Sequence, residues 1–342
     1  MFCAGAVIAS SAQTFTTLAS FDGKDGNLPD APLVQGINGN FYGTALEGGK
    51  KNNGTVYEIS PAGKLKALYR FCSQANCTDG NDPSGALVQA TNGNFYGTTS
   101  LGGANDNPLC LSPHESSCGI VFEITPAGKL TTLYSFCSQP NCADGYFPAA
   151  AVVQAANGDF YGTTRYGGTG KCTPSCGGTV FKMTSAGKLT TLYSFCSKPN
   201  CADGSGLFAP LVRATNGNFY GITLFGGANC APADFCGGIV FKITPGGKLT
   251  TLYSFCSQAN CTDGNGPSAL VQATNGDFYG RGGGPNPGEQ TDGQQQRDVQ
   301  RHTGHIQREI AQADSDSRAA WCNHRLRQRD HAHRRVDQQP AI

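Results

Sequence analysis

Asn38-Gly39-Asn40-Phe41-Tyr42-Gly43 occurs five times with little change, at 38–43, 92–97, 157–162, 216–221 and 275–280. Its phenylalanines, Phe41, Phe95, Phe160, Phe219 and Phe278, are spaced by 54, 65, 59 and 59 residues. A period of this length marks one supersecondary unit copied and stacked, so the repeat decides the fold before any single residue does. It also weighs against catalysis, because residues that recur in every copy serve the scaffold first.

Working outward from the second copy, residues 86–90 are short and apolar, and Asn92-Gly93 predicts a tight hairpin of type I′. Residues 95–99 form the second strand, and a long loop with Cys110 and Cys118 follows. Residues 120–125 are β-branched and aromatic, Pro126-Ala127-Gly128 turns, and residues 129–136 make a fourth strand. Four antiparallel strands per unit, repeated, predict an all-β chain folded as a β-propeller of about five four-stranded blades; a β-solenoid is the runner-up. Residues 14–21 match the fourth strand, and the last copy supplies only two strands, ending at Gly280. The expectation is four complete blades and a fifth assembled from both ends, in which an N-terminal strand removes the open sheet edges. In such up-and-down blades the tight turns lie on one face, and the longer cysteine-bearing loops on the other.

Glycine is abundant, at 47 of 342 residues, and charged residues are only 14%, which suits short strands and many turns. Residues 1–280 hold 15 Lys/Arg against 16 Asp/Glu, so the body offers no electrostatic footprint for nucleic acid. No stretch is long and apolar enough to span a membrane.

Sixteen cysteines point to an oxidising compartment. Four pairs share the frame Phe-Cys-x4-Cys: Cys72/Cys77, Cys137/Cys142, Cys196/Cys201 and Cys256/Cys261. Three more pairs sit in the long loops: Cys110/Cys118, Cys172/Cys176 and Cys230/Cys236. The loop at 21–26 lacks both cysteines of the first kind, and 49–54 lacks both of the second. Paired absence favours disulfides within each pair. A metal needs four converging soft ligands, and with varying spacings and one body histidine, His114, none is expected; nor is any cofactor.

The repeated elements Asn-Gly-x-Phe-Tyr-Gly-Thr, Gly-Gly-x-Val-Phe-x-Ile-Thr-Pro-x-Gly and Leu-Tyr-Ser-Phe resemble the GloVer tandem repeat of bacterial exported and surface proteins, across residues 14–280. The resemblance implies a secreted or surface-anchored protein, often with further C-terminal modules or an anchor. It carries over no catalytic residue.

The domain reading is a signal-like remnant at 1–12, a propeller at 13–280, and a disordered or out-of-frame tail at 281–342. The tail holds ten Arg, no Lys, the single Trp321 and five of the six histidines. Reading 301–308 and 323–335 one nucleotide later permits strand-like sequence similar to an IPT/TIG domain. The expectation is therefore a frameshift, which the nucleotide sequence would test.

For function, Asp25, Asp79, Asp144, Asp203 and Asp263 each precede Gly in equivalent loops, which predicts a turn role rather than catalysis or calcium binding. Glu58 and Glu123 are replaced by Lys182 and Lys242 in later copies. The unrepeated acids Asp30, Glu47, Asp82, Asp106, Glu115 and Asp234 are scattered over loops. The unrepeated loop aromatics Tyr146, Tyr166, Phe208, Phe225 and Phe235 are the ligand candidates. The expected function is a secreted or cell-surface, non-catalytic binding module for polysaccharide or a surface protein. The alternatives are a propeller glycoside hydrolase or lyase, whose carboxylates would have to come from the scattered acids, and a purely structural repeat.

Overall fold

A computed structural model of the chain describes residues 15–110, 118–170, 177–229, 237–283 and 310–312. Four sheets share one antiparallel up-and-down plan. The first is β1 (Val34–Gln35), β2 (Phe41–Ala45), β3 (Thr55–Ile59) and β4 (Leu65–Arg70). The second is β5 (Val88–Gln89), β6 (Phe95–Thr99), β7 (Ile120–Ile124) and β8 (Leu130–Ser135). The third is β9 (Val153–Gln154), β10 (Phe160–Thr164), β11 (Thr179–Met183) and β12 (Leu189–Ser194). The fourth is β13 (Val212–Arg213), β14 (Phe219–Thr223), β15 (Ile239–Ile243) and β16 (Leu249–Ser254). These are propeller-type blades, and the copied sequence yields copied register: Phe95 faces Ile124 as Phe160 faces Met183 and Phe219 faces Ile243.

Burial explains the composition of each strand. The second strand of blades two, three and four is buried at all five positions, because a neighbouring blade covers each face. Such strands read as continuous apolar and small residues rather than alternating ones. The Phe-Tyr pair supplies the contact between blades. Tyr42 packs on Phe95, Tyr96 on Phe160, Tyr161 on Phe219 and Tyr220 on Phe278, each with ring centroids 4.1 Å apart. A second series runs edge-on or tilted between Phe71 and Phe122, Phe136 and Phe181, and Phe195 and Phe241, at 5.1–5.3 Å. In blades two, three and four the glycine after Phe-Tyr leaves room for this second ring. A Cβ at Gly97 would stand 2.6 Å from Phe122 Cζ, closer than packed carbons approach.

The Asn-Gly hairpins differ from the type I′ expectation. Gly93 has φ +82°, but Asn92 is not left-handed. Gly93 N donates to Ala90 O, and Ala90 N to Asn94 O. This is a type I turn closed by a left-handed glycine, the usual three-residue hairpin. Asn92 Oδ1 accepts from Asn94 N at 3.1 Å, so the side chain holds the turn and asparagine needs no positive φ.

The fifth sheet departs from expectation. It contains β17 (Asn265–Gln272), β18 (Phe278–Gly283) and β19 (Ile310–Gln312), with β19 parallel to β18. The predicted N-terminal closing strand is not found there: residues 15–20 adopt no strand. They nevertheless occupy a fourth-strand place before blade one. Phe21 meets Tyr57 at 4.8 Å, much as Phe71 meets Phe122, and the Leu18 carbonyl lies over Gly63 as that of Leu68 lies over Gly128. A fourth strand needs a third to pair with, and no antiparallel third strand follows β18 among the described residues. The segment at 1–12 and most of 281–342 lie outside the described residues.

Candidate functional site

The Asp-Gly connections are settled by hydrogen bonding. Asp79 Oδ2 accepts from Tyr69 Oη, Ser73 N and Ser73 Oγ at 2.7–2.9 Å, and Oδ1 accepts from Gln74 N at 3.1 Å. Asp144 repeats this with Tyr134, Ser138 and Gln139, and Asp203 with Tyr193, Ser197 and Lys198. Asp263 does so with Tyr253, Ser257 and Gln258. Burial alone would raise the Asp79 carboxyl, but the bonds from Ser73, Tyr69 and Gln74 outweigh it and hold its pKa below the ordinary value. Burial pushes the Tyr69 and Tyr134 phenols up to about 12, so they remain donors. These carboxylates are already occupied as caps of the cysteine loops, which leaves them poor calcium ligands.

The alternating charges on the third strands of blades two and three find different partners. Glu123 accepts from Asn94 Nδ2 at 2.6 Å and Tyr96 Oη at 2.9 Å, whereas Lys182 pairs with Asp159 at 2.8 Å. Of the scattered acids, Glu47 accepts from Asn27 at 3.1 Å, Asp30 and Asp106 are exposed, and Asp82 is half-buried with φ +64°. Glu115, Asp234 and His114 lie outside the described residues.

Cysteine pairs Cys72–Cys77, Cys110–Cys118, Cys137–Cys142, Cys196–Cys201 and Cys256–Cys261 are disulfides. Cys172, Cys176, Cys230 and Cys236 lie outside the described residues. In each Cys-x4-Cys loop a left-handed asparagine, such as Asn76 or Asn141, reverses the chain between the two sulfurs.

On the face that carries these loops, the structure gathers three of the five aromatic candidates around an arginine that the sequence reading passed over. Tyr146 and Tyr166 form an antiparallel bridge where the third blade opens, with rings 5.5 Å apart. Arg165 precedes Tyr166, and its guanidinium carbon stands 3.6 Å from the Phe208 ring centre, 4.7 Å from Tyr166 and 5.6 Å from Phe147. Phe208 comes from the connection into blade four, so the cluster joins two blades. Tyr146 is buried, while Phe147, Arg165, Tyr166 and Phe208 are half-buried and present a surface. Burial pushes the Tyr146 phenol up to about 12 and raises Tyr166 as well, with Arg165 lowering both; the rings stay neutral. Phe225 holds the Tyr166 position in blade four, bridged to Ser205, and Phe235 lies outside the described residues. The signal for Arg165 was present in the repeat: the matching residues are Leu46, Ser100 and Leu224, so it is unrepeated like the aromatics. Half-exposed rings beside a guanidinium can stack on the C–H face of a sugar and donate to its hydroxyl or carboxylate oxygens.

Among known proteins, a sequence profile of the Gloeobacter/Verrucomicrobia repeat matches residues 4–113 and 76–289. No curated protein is significantly similar to the chain. Solved structures to which the chain is similar include a luciferin-regenerating enzyme, at 10% identity and TM-score 0.40, covering 70% of this chain and 64% of that one. Another is PorZ, a bacterial surface component of the type-IX secretion system of Porphyromonas gingivalis, at 11% identity and TM-score 0.39, covering 71% and 30%. A third is a xylan β-1,4-xylosidase from Bacillus halodurans, at 14% identity and TM-score 0.37, covering 77% and 50%. The chain spans less than two thirds of the length of each.

Proposed function

The chain belongs to the Gloeobacter/Verrucomicrobia repeat family, and from its architecture we propose that it is an exported, non-catalytic binding module that recognises polysaccharide through the Arg165 patch. The observation that carries this is the packing of Arg165 between Phe208, Tyr166 and Phe147, all four half-buried on the disulfide-stapled face. Rigid loops on a repeated scaffold are where unrepeated residues acquire ligands. The disulfides suit an extracellular setting, and no helix among the described residues is long and apolar enough to cross a membrane.

A glycan array including acidic polysaccharides tests this, followed by titration of the best ligand. Tyr166→Ala and Phe208→Ala are each expected to weaken binding about tenfold, the loss of one ring contact of ~1.4 kcal/mol. No binding to any glycan by the folded protein would overturn the reading. Turnover of a bound glycan would replace it with the hydrolase or lyase alternative.

A further inference from the structure

Cys110 and Cys118 lie in the loop between β6 and β7, and Cys137 and Cys142 follow β8; the sequence presents them as two separate pairs. The fold stacks one pair on the other. Cys110 Sγ lies 3.7 Å from Cys137 Sγ, and all four sulfurs fall within 4.8 Å of one another. All four are buried, in an apolar cluster with Phe136, Val121 and Tyr146. Four sulfurs around a tetrahedral zinc with Zn–S bonds of about 2.3 Å stand about 3.8 Å apart, so the quartet already has nearly the span of such a site. We propose that, once its two disulfides are reduced, the quartet Cys110, Cys118, Cys137 and Cys142 binds one zinc ion as a tetrathiolate.

Disulfide and metal are then alternative staples for the same two loops. Each disulfide accepts two electrons from a phosphine, which leaves as its oxide with an oxygen from water, and two thiols form. Zinc displaces the four thiol protons. Oxidation by peroxide takes the four electrons back, reforms both disulfides, yields water and releases the ion. Metal binding must therefore be strongest where thiols persist and be lost on oxidation. The oxidised chain closes each loop on itself without a metal, so the choice of staple follows the redox state.

Blade one supplies an internal control. Cys72 and Cys77 are bonded there, but the facing loop has no cysteine and places Lys51 Nζ 3.9 Å from Cys72 Sγ. That pair can offer a metal only two sulfurs.

The test is cobalt titration of the phosphine-reduced full chain without oxygen, followed by displacement with zinc. Wild-type protein is expected to develop the absorption bands of tetrahedral cobalt thiolate. The double variant Cys110→Ser/Cys118→Ser should bind one equivalent less per chain, and Cys72→Ser/Cys77→Ser should bind as wild type does. Cys110→His, which keeps a ligand at the position, should retain the equivalent with its charge-transfer bands shifted as one sulfur is replaced by nitrogen. Failure of the reduced chain to take up cobalt overturns the proposal. So does an equal loss in both double variants, or an unshifted spectrum for Cys110→His.

Discussion

Asp79 shows what one buried carboxylate does in this repeat. Its two oxygens collect Tyr69, two donors of Ser73 and the Gln74 amide, and so fix the path of the Cys72–Cys77 loop. Asp79→Asn would turn an amide group toward these donors, with an expected loss of about 2–3 kcal/mol in urea unfolding. The acid behaviour follows from the lowered pKa. Stability from Asp79 is fully present above the unfolded value near ~3.9 and is lost as pH falls through the lower folded value. Unfolding measured from about pH 5 down to about pH 2 should fall less steeply in Asp79→Asn than in wild type. A parallel acid limb in the variant would show that Asp79 does not titrate with folding.

At the scale of the element, the Phe-Tyr-Gly strand works by dividing its residues between neighbours. Phe95 receives Tyr42 from the blade before, Tyr96 reaches Phe160 in the blade after, and Gly97 opens a space for Phe122. Gly97→Ala should cost about 1–3 kcal/mol in thermal or urea unfolding, through overpacking against that ring. Gly280 holds the same place in β18, but a Cβ there would meet the Ala269 carbonyl at 3.0 Å and Leu270 Cδ1 at 3.7 Å, with no aromatic ring close by. Gly280→Ala should therefore destabilise less. Equal losses would mean that the glycine answers to backbone conformation rather than to the ring. The strand assignments were legible because β-branched and aromatic runs bounded by turn residues are local signals. The turn type was not, since Asn92 stabilises a type I turn through its own carbonyl oxygen as readily as it tolerates positive φ.

Across the whole molecule, four tyrosines stack on the next blade, and the fifth copy, Tyr279, is 37% exposed. Identical sequence thus has unequal energetic weight. Tyr220→Ala should cost about 3 kcal/mol, whereas Tyr279→Ala should stay within about 0.5 kcal/mol. If unfolding experiments show equal costs, Tyr279 is covered in solution and the ring closes. The candidate site was partly legible for the same reason that the blades were: Tyr146, Tyr166 and Phe208 break the repeat, and departures from a repeat can be read without coordinates. Arg165 escaped notice because an arginine in a loop is ordinary until its stacking partners are placed beside it. By itself, the sequence determined the repeat, the four-strand blade and the pairing of the described cysteines, all of which depend on neighbours within one unit. Only the tertiary structure decided that residues 15–20 pair with no strand among the described residues, that Phe208 covers Arg165, and that the sulfurs of two separate loops converge. Those outcomes depend on how successive units are rotated against each other, a quantity summed over many weak packing contacts and written in no single motif.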